Sequence, residues 1–154
     1  MIIKKGTHKS WQCPELILNK DVISYMVRFD DSCRYNIGKD QGDINKLFGI
    51  GYFPHHHRNS VRVGWNYLAQ TDKIRLYAYW YINGVRGWHY MHSVNIGEYI
   101  YITIRINRPT HSIDIQGKRF MLDCKGSLGY LLGPYFGGKQ TAPHDINIEI
   151  RRLK

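Results

Sequence analysis

Cysteine is scarce in this chain. Cys13, Cys33 and Cys124 are the three in 154 residues, with no CxxC pair among them. An odd number of isolated cysteines excludes a disulfide framework as the organising device and points to a reducing compartment. The opening MIIKKGTHKS has no apolar h-region, so no secretory signal is expected. No apolar run approaches the ~20 residues of a membrane span, so no membrane insertion is expected. Synthesis in the cytoplasm follows, and a ligand outside the cell would be reached by lysis or as part of a virion. No Walker-type loop or dinucleotide fingerprint occurs, and Ser60, Ser93, Ser112 and Ser127 lack a nucleophile-elbow context. No cofactor is therefore expected. No repeat, low-complexity segment or linker interrupts the chain, which reads as one domain over residues 1–154.

Acidic residues are also scarce. Twelve Asp and Glu face 22 Lys and Arg, a formal net charge of +10. Such an excess selects anionic partners. What the chain has in plenty is tyrosine, 12 residues of it, an aromatic whose ring packs while its hydroxyl stays wet.

Helical periodicity is almost missing, and residues 34–46 are the one place left for a short turn or helix. Elsewhere residues alternate with the period of a strand. KIRLYAYWYI puts Ile74, Leu76, Ala78, Trp80 and Ile82 on one face and Arg75, Tyr77, Tyr79 and Tyr81 on the other. YIYITIRI does the same with four isoleucines against Tyr99, Tyr101, Thr103 and Arg105. VISYMVRF, SVRVGWNYL, HSIDIQ, GYLLG and INIEIR read as further strands. About ten short strands separated by turn signals specify an all-β sandwich or barrel.

Asn83-Gly84 fits a type I′ hairpin. A two-residue loop there pairs Ile82 with Val85, Tyr81 with Arg86, Tyr79 with Trp88, Tyr77 with Tyr90 and Arg75 with His92. The reverse face, with Trp80 opposite Gly87, Ala78 opposite His89 and Leu76 opposite Met91, is expected to be core. In IDIQGKRFML a Gly117-Lys118 turn keeps Ile115 against Phe120 and Ile113 against Leu122, and is preferred to a Gln116-Gly117 turn on that ground.

The predicted ligand-binding face therefore comprises Arg75, Tyr77, Tyr79, Tyr81, Arg86, Trp88, Tyr90, His92, Tyr101 and Arg105, with Tyr99 beside them. Rings of this kind stack on sugar faces, and Arg and Tyr tips bind hydroxyls or carboxylates. Bases and phosphates of a single strand suit the same chemistry, but a glycan or other anionic ligand is the first expectation and nucleic acid the second. The competing expectation is that the strip is covered by another layer or by a partner protein. In FPHHHRNS, adjacent histidines point to opposite sides of a strand, and no Cys or carboxylate sits at ligand spacing. A polar loop is expected there, without a metal. His144-Asp145 reads as a turn device.

The ending PYFGG…APHDINIEI, with VRVGWNY and AYWYINGVRGW before it, resembles a group of small uncharacterised bacterial and bacteriophage proteins. Their shape is similar to concanavalin A-like jelly-roll sandwiches, and the resemblance covers roughly residues 44–150. It implies a two-sheet antiparallel jelly roll with one concave sheet. The wider superfamily holds lectin domains, laminarinase-type glycosidases and polyuronate lyases. The E-x-D-x-x-E pattern of those glycosidases does not occur here, and the lyases' own motifs do not either, although His and Tyr are present. The leading expectation is thus a non-catalytic domain binding an acidic polysaccharide. The alternatives are a lyase using a His/Tyr pair, and a structural or interaction protein such as a virion component.

Overall fold

The computed structural model describes residues 1–10, 15–17 and 21–153; Cys13 lies outside them. Among the described residues the regular structure is strand, apart from two short 3-10 turns. Two antiparallel sheets of six strands face each other. The first has the order β1 (Ile2–Ile3), β12 (Ile146–Arg152), β3 (Val22–Phe29), β8 (Tyr99–Asn107), β9 (Thr110–Ile115), β10 (Lys118–Asp123). The second has the order β2 (Leu16–Ile17), β11 (Gly129–Leu132), β4 (Asn45–Tyr52), β5 (Ser60–Leu68), β6 (Lys73–Ile82), β7 (Val85–Asn95). The short turn or helix expected within 34–46 is the 3-10 turn Gly38–Asp40; another, Asp31–Cys33, precedes it, and strand follows from Asn45.

Alternation dictates the layering. In β8, Ile100, Ile102, Ile104 and Ile106 point inward, and β3 sets Val27 opposite Ile100 and Ile23 opposite Ile104. Val61, Val63 and Trp65 of β5 and Ile74, Leu76 and Ala78 of β6 answer from the second sheet. Each large apolar side chain so buried contributes about 1.5–3 kcal/mol. Trp65 anchors the centre, with ring contacts to Phe29 at 5.1 Å and Tyr35 at 5.9 Å.

The Asn83-Gly84 turn forms as expected, with φ of 52° and 81° and Ile82 opposite Val85. Tyr81–Arg86, Tyr79–Trp88 and Tyr77–Tyr90 are paired as read from the sequence. Beyond Tyr77 the pairing shifts. A β-bulge puts Ser93, not His92, opposite Arg75, and His92, not Met91, opposite Leu76. The extra residue keeps Met91 and Val94 in the core. The reverse face of this hairpin is core only in part: Val85 and His89 are exposed at the sheet's edge.

The second hairpin turns at Gln116-Gly117, φ 48° and 80°, with Lys118 opposite Ile115, Phe120 opposite Ile113 and Leu122 opposite His111. The expected Gly117-Lys118 register differs from this one by a two-residue slip. Such a slip leaves every side chain on its own face, so the apolar pattern does not distinguish the two. The primed turn, whose twist matches the strands, decides. This register brings His111 into the core, where its Nδ1–H donates to the Pro109 carbonyl at 2.9 Å and its Nε2 accepts from the Tyr52 hydroxyl at 2.5 Å.

His144 and Asp145 are structural. His144 Nε2–H donates to the Ser32 carbonyl at 2.7 Å, while Asp145 accepts the Lys5 amide at 2.9 Å and pairs with Lys4 at 2.7 Å. His144 ties the approach to β12 to the 3-10 turn Asp31–Cys33, and Asp145 ties it to the chain's first turn.

A Cβ at Gly87 would stand 2.3 Å from the Trp80 ring. Gly87→Ala is expected to destabilise by about 1–3 kcal/mol through overpacking, seen as a lower urea midpoint at unchanged m-value. An unchanged midpoint would show that the Trp80 contact is not tight.

Candidate functional site

The outer face of the second sheet is where the aromatic strip lies, and neighbouring strands supply what the strip lacks. Arg62 of β5 stands opposite Tyr79, and Gly49 of β4 stands opposite Arg62. A Cβ at Gly49 would lie 2.7 Å from Arg62 Cγ. The missing side chain is what lets the Arg62 stem lie across β4, where its Nη2 donates to the Gly133 carbonyl at 2.8 Å. Lys46, at the start of β4, donates to the Gly137 carbonyl at 3.2 Å and sits over the rings of Tyr79 at 5.0 Å and Tyr135 at 5.7 Å. Tyr135 extends this sheet through single bridges to Lys46 and Lys9, and His8 stacks on its ring at 5.0 Å.

Three cavities run together along this face. The central one, about 400 Å³, is lined by Lys46, His56, His57, Arg62, Tyr79, Tyr81 and Arg86. A second, about 330 Å³, shares Arg62, His56, Lys9 and Tyr135 with it and continues over Tyr130 and Leu132. A third, about 270 Å³, shares Lys46, Tyr79 and Arg86 with it and continues over Tyr77 and Trp88. Together they form a groove crossing the strands, on the order of 20 Å long from the ~4.8 Å strand spacing.

The groove is electropositive and incompletely satisfied. Arg62 is 7% exposed and forms no ion pair among the described residues. Burial lowers its pKa to about 10, partly offset by the surrounding tyrosines. Burial, reinforced by repulsion from Arg62, lowers Lys46 to about 8. His56 is pushed down to about 4 by burial and by His57 and Arg62, so it is neutral at pH 7. Five buried side-chain polar atoms lack a hydrogen-bond partner in the protein among the described residues. Three of them, Arg62 Nε, Ser60 Oγ and Ser10 Oγ, belong to residues lining this groove. Unpaired buried polar groups are few in folded proteins, and these three gather along one groove.

The structure brings Arg75, Tyr77, Tyr79, Tyr81, Arg86, Trp88 and Tyr90 onto one face. Tyr77 and Tyr79 are buried in the floor, while Trp88 and Tyr90 are about half-exposed. Arg75 is turned to Asn66 Oδ1 at 3.0 Å, and Arg86 lies over the Trp88 ring at 5.4 Å. His92 leaves the strip's register at the bulge. Tyr99, Tyr101 and Arg105 do not join it: β8 belongs to the other sheet, and they point outward on the far side of the sandwich. The sequence reading missed Lys46, Arg62 and His56. The signal for Arg62 was present, since alternation with Val61 and Val63 puts it on the outer face. The histidine run 55–57 forms a loop, with His57 edge-on to Tyr81 at 5.2 Å. Among the described residues, no cluster of three or more His, Cys, Asp or Glu capable of holding a metal occurs, and no helix of the described residues is long and apolar enough to cross a membrane.

No family model matches the chain, and no curated protein matches it. Solved structures do. An alginate lyase from Alteromonas sp. 272 aligns with a TM-score of 0.55 at 10% identity, over 86% of this chain and 71% of that one. Alginate lyase vAL-1 from Chlorella virus aligns at 0.53 and 13%, over 98% and 81%. A Bacteroides ovatus GH16 protein from a mixed-linkage glucan locus, in complex with product, aligns at 0.51 and 11%, over 90% and 71%. The fold is the concanavalin A-like jelly-roll sandwich.

Removing an unpaired buried charge should stabilise the fold. Arg62→Met is expected to raise the melting temperature by a few degrees, corresponding to about 1 kcal/mol, by calorimetry at pH 7. A lower melting temperature would mean that Arg62 is structural. The depressed pKa values of His56 and His111 also fix a sign. Unfolding frees both to protonate, so stability should hold above about pH 6.5 and fall as the pH drops toward 4. Urea midpoints that stay flat across that window would contradict the burial of these rings.

Proposed function

We propose that the groove binds an acidic glycan, with an anionic substituent at Arg62 and Lys46 and sugar rings on the Tyr/Trp strip. The observation that carries this reading is the buried Arg62, whose Nε has no partner and whose charge has no carboxylate within reach among the described residues. An arriving carboxylate completes a charge-assisted hydrogen bond there, and the polar orphans beside it suit sugar hydroxyls. Side-by-side aromatics on the floor and wing favour pyranose faces. Likeness in fold to proteins named as lyases and a glucan-product complex agrees with a saccharide ligand.

One observation favours a second reading, β-elimination. Neutral His56, with its Nδ1 3.5 Å from the Tyr130 hydroxyl, and the His57–Tyr81 pair line the same chambers as Arg62. In that reaction Arg62 would neutralise a uronate carboxylate and the histidine would take the proton α to it. The glycosidic C–O bond would break as the C=C forms, with a tyrosine protonating the leaving oxygen. The relevant histidines are then His56 and His57.

Titration calorimetry on uronate oligosaccharides tests the binding reading. Affinity should fall with salt and as pH rises through about 8, because Lys46 loses its charge there. Trp88→Ala should weaken binding at every salt concentration, since stacking on this half-exposed ring is not screened. Arg62→Met should cost on the order of 10–100-fold, the loss of a hydrogen bond to a charged group. A stable complex with another protein through the strip, with no glycan bound, would overturn the reading. A rise in the absorbance of unsaturated ends, lost in His56→Ala, would establish elimination.

A further inference from the structure

The groove is basic, yet one carboxylate lines it. Asp43, in the turn ahead of β4, shares the 270 Å³ wing with Tyr77, Tyr79 and Trp88. Its Oδ2 lies 3.2 Å from where a Cβ on Gly138 would stand. The side chain is half-buried, and among the described residues it makes no ion pair or side-chain hydrogen bond. It is near enough to Lys46 to favour that ammonium's charged form. The cations at this end are partly engaged, Arg75 with Asn66 and Arg86 over Trp88. Charge in the groove is thus uneven. Arg62 and Lys9 gather at and beyond the centre, where no acid lines the cavities, and Lys46 lines both the centre and the wing. The aromatic wing holds an acid with nothing bound to it.

An unpaired carboxylate beside a stacking platform acts in two ways. It repels an anion placed on the platform, and it accepts hydrogen bonds from hydroxyls of a neutral ring stacked there. Resting on the acidic-glycan reading, we infer that the groove takes one anionic group at Arg62 and Lys46 and a neutral sugar beside it against Trp88, and that Asp43 rejects a second anion. The ligand class is then an acidic heteropolysaccharide, charged on isolated units, rather than a polymer charged on every unit.

Titration calorimetry at one ionic strength tests this on the full chain and on Asp43→Asn. The probes are short oligosaccharides of hyaluronan and of gellan, whose uronates are separated by neutral sugars, oligogalacturonate, charged on every unit, and oligothymidylate as a single-stranded polyphosphate. The wild-type chain should bind at least one heteropolymer more tightly than oligogalacturonate, on the order of tenfold. Asp43→Asn should narrow that gap by tightening oligogalacturonate several-fold. If oligogalacturonate binds as tightly as both heteropolymers, or if Asp43→Asn leaves the ratio unchanged, the inference fails while acidic-glycan binding stands. If oligothymidylate binds best, or no glycan binds at all, the acidic-glycan reading fails as well.

Discussion

A guanidinium held below the surface with no counter-charge is costly, and much of the second sheet's outer face is arranged around one. Arg62 lies over Gly49, is fastened at one nitrogen to the Gly133 carbonyl, and keeps Nε without a partner. Burial depresses Lys46 and His56, and the field of Arg62 adds to it. A core residue in that position would be apolar, and replacing a buried charge by a well-packed apolar group is often neutral or stabilising. The sandwich tolerates the arrangement because its stability comes from elsewhere, from the isoleucine rows of β3, β8 and β9 packed on Trp65 and the valines of β5.

The two outer faces differ in how their charges are managed. On the first sheet, arginines are matched to acids: Arg28 and Arg151 to Glu149, Arg105 and Arg119 to Asp114. Exposed pairs of that kind are worth little and solvate the surface. On the second sheet the central cations face a cavity and no acid. That contrast, more than the net charge of +10, is why the proposed anionic ligand is assigned to the second sheet.

The sequence made the sheets legible and their assembly only partly so. Alternation identified the core faces of β6 and β8, and Asn83-Gly84 set the hairpin register correctly for six pairs, because a two-residue turn leaves no freedom. It failed past Tyr77, where a bulge adds a residue that leaves no mark in the pattern. It failed at Gln116, where the apolar pattern is indifferent to a two-residue slip. Tyr101 and Arg105 were grouped with Tyr79 because alternation tells in from out but not which sheet a strand joins. Arg62 and Lys46 escaped notice because a single cation in an apolar strand reads as surface until its neighbour Gly49 is known to seat it.

The central claim is that Arg62 is held ready for an anion. Its guanidinium Nε–H resonance, followed by ¹⁵N NMR during titration with a uronate oligosaccharide, tests this most directly. The account predicts a saturable shift at Arg62 Nε, with Arg105 and Arg119 on the other sheet unmoved. Saturating binding that leaves Arg62 Nε in place, or that shifts the arginines of the first sheet instead, would contradict it.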